Sequence, residues 1–336
     1  MDSARREFLS GLAAFAVAKS WPLSTWEISK QSGPANSPFR VAVINDEISQ
    51  DFGRACEVAS QKFGMEWIEL RGMWNKNIVK LDAHDISESQ RILKKYQLRV
   101  TDIASPLFKV DWKGAPKSKF SPKQDQFNAD FTFEQQGEVL ERSIELAKTF
   151  DTDRIRCFDF WRLDDPAPYR AAINETLRDA AEKAGKQGRI LVLENEPSCN
   201  TATGAEAANV LSSVQSRFFM LNWDPGNAAA SGEKPYPDGY ARLPKDRIGH
   251  CHCKDATRNG QKYEWAAMGR GMIDWVGQFR ALKRDGYQHA VSLDALAGWR
   301  LARSIYRTEL GGDEEAVKER WGALDGSCHL AVSTWN

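Results

Sequence analysis

An excess of charge of either sign is what this sequence most plainly lacks: lysine plus arginine and aspartate plus glutamate each number 46. Without a basic surplus there is no electrostatic footprint for a phosphate backbone or an anionic bilayer, so nucleic acid and membrane-surface partners are excluded. The lysine-rich stretch from Lys109 to Lys123 is a local exception and reads as a solvated loop. Cysteine is sparse, and Cys56, Cys157, Cys199, Cys251, Cys253 and Cys328 include no CxxC pair and no zinc-ribbon spacing. No Gly-rich dinucleotide fingerprint follows the first apolar strand, which argues against a nucleotide-binding open sheet. No apolar run is long enough to span a bilayer, so no integral membrane segment is expected in the mature chain. What remains is 336 residues, 42% of them hydrophobic, enough to bury one large core.

The N-terminus reads Ser3-Ala-Arg5-Arg6-Glu-Phe8-Leu9 and then the apolar run Gly11 to Ala18. A twin-arginine pair, a short apolar region and the Ala16-Val17-Ala18 site predict an export signal over residues 1–18 and a periplasmic protein. Its removal deletes two acidic and two basic residues (Asp2, Glu7, Arg5, Arg6), so the mature chain stays neutral. Residues 19–38, rich in Ser, Pro and Gly, form a leader segment.

From Phe39 onward apolar strand-like runs alternate with amphipathic stretches. The strands begin with Arg40-Val-Ala-Val-Ile44, Glu66-Trp-Ile-Glu-Leu70, Arg99-Val-Thr-Asp-Ile103 and Arg154-Ile-Arg-Cys-Phe158. They continue with Ile190-Leu-Val-Leu, Phe218-Phe-Met-Leu, Ile248-Gly-His-Cys and Ala290-Val-Ser-Leu. Between them, Leu140, Ile144 and Ala147 keep helical spacing behind a capping box of Thr132 and Gln135. Trp275, Phe279 and Leu282 do the same between Asp274 as N-cap and Gly286. Eight βα units in roughly 250 residues make a single-domain α/β (β/α)8 TIM barrel over 39–298. A doubly wound sheet is the runner-up. The long loop from 109 to 130 lies on the active face and is a candidate lid.

The last four strands each run into a potential ligand: Glu194, Asp224, His252 and Asp294, spaced by 30, 28 and 42 residues. Parallel strands joined by helices put their carboxyl ends on one face, where such groups converge on an axial pocket. Carboxylates with one imidazole make a hard site for one divalent metal ion, Mn²⁺, Mg²⁺ or Co²⁺, with Zn²⁺ as a further candidate. Around it, Glu196 shares parity with Glu194, and His250 lies one pleat deeper than His252. Period two turns Cys251 and Cys253 to the opposite face, toward the helices. Lys254 and Asp255 either orient substrate or pair with each other. Glu47, Glu69 and Arg71, at the ends of the first two strands, either touch substrate hydroxyls or form surface ion pairs. Trp74, Trp112, Trp161 and Trp223 fall near strand ends, where aromatic faces can stack on sugar rings.

Five motifs resemble the xylose isomerase-like TIM barrels, the sugar phosphate isomerase/epimerase superfamily. They are Leu193-Glu194-Asn195, Trp223-Asp224-Pro-Gly-Asn227, His250-Cys-His252-Cys-Lys254-Asp255, Gly269-Arg-Gly-Met-Ile-Asp274-Trp275 and Gly286-Tyr287. The resemblance spans about residues 39–298 and implies Glu194, Asp224, His252 and Asp294 as metal ligands. It implies Glu194 and Asp294 as the acid/base pair, since ketose epimerases of this family exchange a proton between two glutamate ligands and the carbon next to the carbonyl. Arg258 matches a substrate-binding arginine, and Asn227 stands where many members have histidine. Together with Glu196, Lys254 and Glu69 they form the expected substrate-binding set. The chain departs at the eighth strand: Ser292-Leu293-Asp294-Ala295-Leu296 replaces Ser-Leu-Glu-Thr-His. Residues 299–336 form an atypical C-terminal segment unlike the family's last helix.

The expected function is therefore a metal-dependent sugar isomerase or epimerase working through an enediolate. A 3-keto-glycoside lyase would run β-elimination on the same site, and export favours it because sugar phosphates are cytoplasmic. A non-catalytic sugar-binding barrel is a third reading. An abasic-site endonuclease shares the scaffold, but zero net charge, Asn227 and export argue against it. The expected partner is a small carbohydrate; a monomer and a homo-oligomer are equally compatible with the sequence.

Overall fold

The computed structural model describes residues 39–121, 129–260, 262–266 and 268–294. The expected export signal, the leader and residues 299–336 lie outside the described residues. Eight parallel strands form the barrel: β1 (Arg40–Val43), β2 (Trp67–Leu70), β3 (Arg99–Leu107), β4 (Arg154–Cys157), β5 (Ile190–Glu194), β6 (Phe219–Trp223), β7 (Ile248–Cys253) and β8 (Ala290–Leu293). Neighbours in sequence are neighbours in the sheet, β8 pairs with β1, and an isolated parallel bridge from Ile44 to Glu69 joins β1 to β2. These are the eight strands the alternation of apolar runs predicts, and the single-domain TIM barrel stands.

Helices α1 (Phe52–Glu57, continued by a π-helical turn), α2 (Ala83–Tyr96), α3 (Gln136–Thr149), α4 (Ala167–Gly185), α5 (Gly204–Ser213), α6 (Pro225–Ala230) and α7 (Trp275–Arg284) fill the connections. Their starts are chemically specified. Asp82 and Asp85 form a reciprocal capping box on α2, as do Thr203 and Glu206 on α5. Asp274 caps α7 through the Gly277 amide, and Gly286 takes φ +80° just beyond that helix. At α3 only half of the expected box forms: Gln135 accepts from the Thr132 amide, while no side chain caps the helix start. Among the described residues no helix is long and apolar enough to cross a membrane.

The apolar core lies between strands and helices, where outward residues such as Leu191, Leu193, Phe219, Cys251 and Leu221 are fully buried. Each buried large apolar side chain contributes about 1.5–3 kcal/mol. The barrel interior is different. Its buried residues include Glu69, Asp102, Arg154, Arg156, Glu194, Asn222, His250, His252 and Ser292. Buried charge of this density persists only when paired or cation-bound, so the interior is organised by electrostatics rather than by apolar packing. The four tryptophans near strand ends pack against apolar neighbours, Trp161 and Trp223 buried and Trp74 and Trp112 partly buried. Trp223 is fully buried with its indole donating to Gln278 at 3.1 Å, and Trp161 packs with Phe158 and Cys199. Trp112 lies edge-on to Phe160 and Phe133, and Trp74 edge-on to Phe52.

Candidate metal centre

β5 to β8 deliver Glu194, Asp224, His252 and Asp294 to one place. One potential ligand atom from each lies within 4.8 Å of the others, and all four side chains are buried. The convergence follows from the fold: Glu194 is the last residue of its strand, His252 the last but one, and Asp224 and Asp294 the first beyond theirs. His252 Nδ1 is 3.2 Å from Glu194 Oε1 and 3.8 Å from Asp224 Oδ2. Asp224 also caps α6 through Oδ1, which accepts from the Asn227 amide at 2.8 Å, leaving Oδ2 for the pocket.

The far side of the imidazole is anchored. His252 Nε2 lies 3.0 Å from Glu69 Oε1, and His250 Nε2 lies 3.1 Å from Glu69 Oε2. With Nε2 keeping its proton toward Glu69, Nδ1 faces Glu194 and Asp224 and is the nitrogen that would give up its proton to bind a metal. Glu69 is fully buried on β2 behind the imidazoles. It therefore holds both imidazoles in place from β2, rather than standing open to a substrate as the sequence suggested. Asn222 stands 3.0 Å from the same Nε2.

The remaining expected residues divide. Asn227 reaches Glu194 Oε1 at 3.3 Å and the Asn195 carbonyl at 2.8 Å. Lys254 enters the cluster, its ammonium 2.9 Å from Asp224 and 2.5 Å from Asp294. It does not pair with Asp255, which instead accepts the backbone amides of Gly269, Gly271 and Ile273. Glu196 stays at the rim, where it accepts from Ser198 and pairs with Lys109 of the loop after β3. That loop is the expected lid; residues 122–128 lie outside the described residues. Arg258 is not brought to the cluster. It is exposed on a two-stranded ribbon (Asp255–Asn259 with Lys262–Ala266), where it donates to the Gly260 carbonyl. The ribbon starts two residues past β7, and its residues 257–259 are all exposed. Glu47 and Arg71 are buried rather than on the surface: Arg71 pairs with Asp46 and Glu47 and approaches Asp294 at 3.9 Å.

Arg156, Asp102 and Asn222 are among the inward residues that the sequence did not single out. Arg156 Nη1 is 3.2 Å from Glu194 Oε2. Asp102 is fully buried with no hydrogen bond to either carboxylate oxygen. Asn222 precedes Asp224 by two positions. The available signal was parity, because polar residues at alternate positions of an apolar strand must face the barrel axis.

The charges set one another's protonation. Burial opposes the charged form of Glu194, yet His252 and Arg156 hold its carboxyl well below the ordinary range. Burial pushes Asp224 up to about 6, against the pull of Lys254 and with Glu194 and Asp294 adding to the rise. Asp294 is held low against burial, chiefly by Lys254. Burial lowers His252, but Glu69 and Glu194 overcome it and raise the imidazole well above its usual value. Burial pushes Asp102 well up, with Glu69 reinforcing it.

The residues fit a divalent cation. The donor set is three carboxylates and a fixed imidazole. Glu194 Oε2 and Asp224 Oδ2 are buried and accept no aligned hydrogen bond, although Arg156 and Lys254 stand near them as charges. Buried lone pairs left open beside an imidazole nitrogen are what a cation would satisfy.

A family model described as xylose isomerase-like TIM barrel matches residues 58–311. No curated protein matches the sequence significantly. Among solved structures, the chain is similar to the probable 3-DHS dehydratase AsbF involved in petrobactin synthesis from Bacillus anthracis, with TM-score 0.60 and 20% identity over 81% of this chain and 98% of that one. It is also similar to D-allulose 3-epimerase from Methylomonas sp. in complex with D-allulose, with TM-score 0.55 and 17% identity over 77% and 85%. A xylose isomerase-like TIM barrel protein from Mycobacterium smegmatis in complex with magnesium gives TM-score 0.55 and 17% identity over 77% and 89%. At these identities the likeness to the solved structures is one of fold.

Proposed function

This chain belongs to the xylose isomerase-like TIM barrel family, and from that premise we propose that it is a divalent-metal-dependent enzyme that removes a proton from the carbon beside a carbonyl in a carbohydrate. The observation that carries the reading is the set of four buried ligand atoms, from four successive strand ends, within 4.8 Å of one another. Glu194, Asp224, His252 and Asp294 would hold the ion, which when bound supplies Lewis acidity to a substrate carbonyl. Solved neighbours bearing the names of an epimerase and a dehydratase, and one in complex with magnesium, support a fold suited to this class of chemistry.

The chain's own groups do the proton work. Glu194 is the base: its carboxylate stays ionised beside Arg156, which fixes its position from below. Asn227 and the Asn195 backbone hold the approach to Glu194. Delivering the proton from Glu194 to the adjacent carbon gives the isomer, whereas the epimer requires a second acid, Asp294, to protonate the original carbon from the other face. The second reading is β-elimination from a 3-keto-glycoside. It is favoured by Asp294, which is one methylene shorter than glutamate and gripped by Lys254 at 2.5 Å, leaving Glu194 as the one base with reach. Export through the Arg5-Arg6 signal belongs to the same proposal, since it would present the enzyme with glycosides rather than sugar phosphates.

The test is solvent exchange. Keto-sugars and 3-keto-glycosides are incubated with the protein and Mn²⁺ in D₂O and followed by NMR. Deuterium should enter beside the carbonyl, and Glu194→Gln should abolish it. Turnover that Glu194→Gln leaves intact would overturn the assignment.

A further inference from the structure

Lys254 is placed too deliberately to be a bystander. Its side chain is buried, with its ammonium 2.9 Å from Asp224 Oδ2 and 2.5 Å from Asp294 Oδ2. The partly exposed indole of Trp265, on the ribbon after β7, covers that ammonium at 4.9 Å from its ring centre. The stem runs over Gly226, where a Cβ would come within 2.4 Å of Lys254 Cγ, so only glycine leaves room for it. A flexible side chain thus has a fitted niche ending on two of the four candidate metal ligands.

Asp224 Oδ2 is also the oxygen that faces His252 Nδ1. An ammonium and a divalent cation placed on that oxygen repel each other at short range in a water-poor pocket. We propose that Lys254 is the metal site's own counter-cation: it holds Asp224 and Asp294 together in the metal-free protein and gives way when metal loads. The four-carbon stem permits the withdrawal. Lys254 therefore sets the metal concentration at which the site fills. This inference rests on the reading of the four strand-end residues as a metal site.

The test is calorimetric titration of the full-length protein with Mn²⁺, for wild type, Lys254→Met and Gly226→Ala, with melting curves in the absence and presence of Mn²⁺. Lys254→Met should bind Mn²⁺ on the order of tenfold more tightly. Its metal-free form should melt several degrees lower, because two buried carboxylates lose their cation, and Mn²⁺ should restore it. Gly226→Ala displaces the stem, with its Cβ also meeting the helix-capping Oδ1 of Asp224 at 3.2 Å but not the pocket-facing Oδ2, and should also tighten binding, which keeps the test open if Lys254→Met fails to fold. Equal or weaker binding in these variants, with wild-type binding intact, overturns the role of Lys254. Absence of Mn²⁺ binding by the wild type would instead overturn the metal-site reading beneath it.

Discussion

At the scale of single residues, the site is a problem of orientation as much as of ligand identity. Glu194, Asp224, His252 and Asp294 were legible because an acid or imidazole at the end of an apolar strand has no bland explanation inside a barrel. Glu69 was legible as a strand-end acid but not in its role, since its partners His250 and His252 lie more than 180 positions away. Glu69→Gln should weaken Mn²⁺ binding about 10–100-fold while the fold persists, as measured by titration and circular dichroism. An affinity unchanged by this variant would show that Glu69 does not orient His252. Protons compete for the same atoms. Asp224, pushed up to about 6, still carries a proton in part below that pH, and Glu69 and Glu194 hold a proton on His252. Raising pH removes these competitors, so Mn²⁺ affinity should rise with pH, by about tenfold per unit for each proton released on binding. Titrations in buffers of different ionisation heat count those protons; a pH-independent affinity would contradict the arrangement. Asp294→Glu tests reach. With Lys254 at 2.5 Å and Arg71 at 3.9 Å, the longer side chain is expected to crowd the pocket and lower turnover while metal is retained. A rise in turnover would favour two-carboxylate epimerisation.

At the scale of elements, strands were read well and connections poorly. Strand identity follows from local alternation, but where a loop turns depends on contacts far away in sequence. Arg258 shows the cost: the family resemblance implied a substrate-binding arginine, whereas the ribbon leaves it exposed. Asp255 explains the ribbon's course. Its carboxylate gathers the amides of Gly269, Gly271 and Ile273, and a Cβ at Gly271 would strike Asp255 Oδ1 at 2.1 Å. Lys254 and Trp265 are thereby held over the site. Asp255→Ala should cost about 1–3 kcal/mol, as charge-assisted hydrogen bonds are lost and the buried Ile273 amide is left open. Lower melting with faster proteolysis around residues 258–272 would confirm the pin; unchanged proteolysis would refute it.

At the scale of the whole molecule, the barrel turns a linear spacing of 30, 28 and 42 residues into one four-residue cluster. Its polar interior, with Asp102, Arg154 and Arg156 buried inside the barrel, is not visible in average composition and is signalled only by the alternation along each strand. The export proposal also belongs here: replacing Arg5 and Arg6 by lysine should retain the protein in the cytoplasm, and fractionation that finds the variant exported would reject it. The most direct measurement is elemental analysis of the purified protein after loading with Mn²⁺ and removal of free ion. The account predicts one divalent ion per chain, lost in both His252→Ala and Glu194→Gln. Unchanged stoichiometry in those two variants would contradict it.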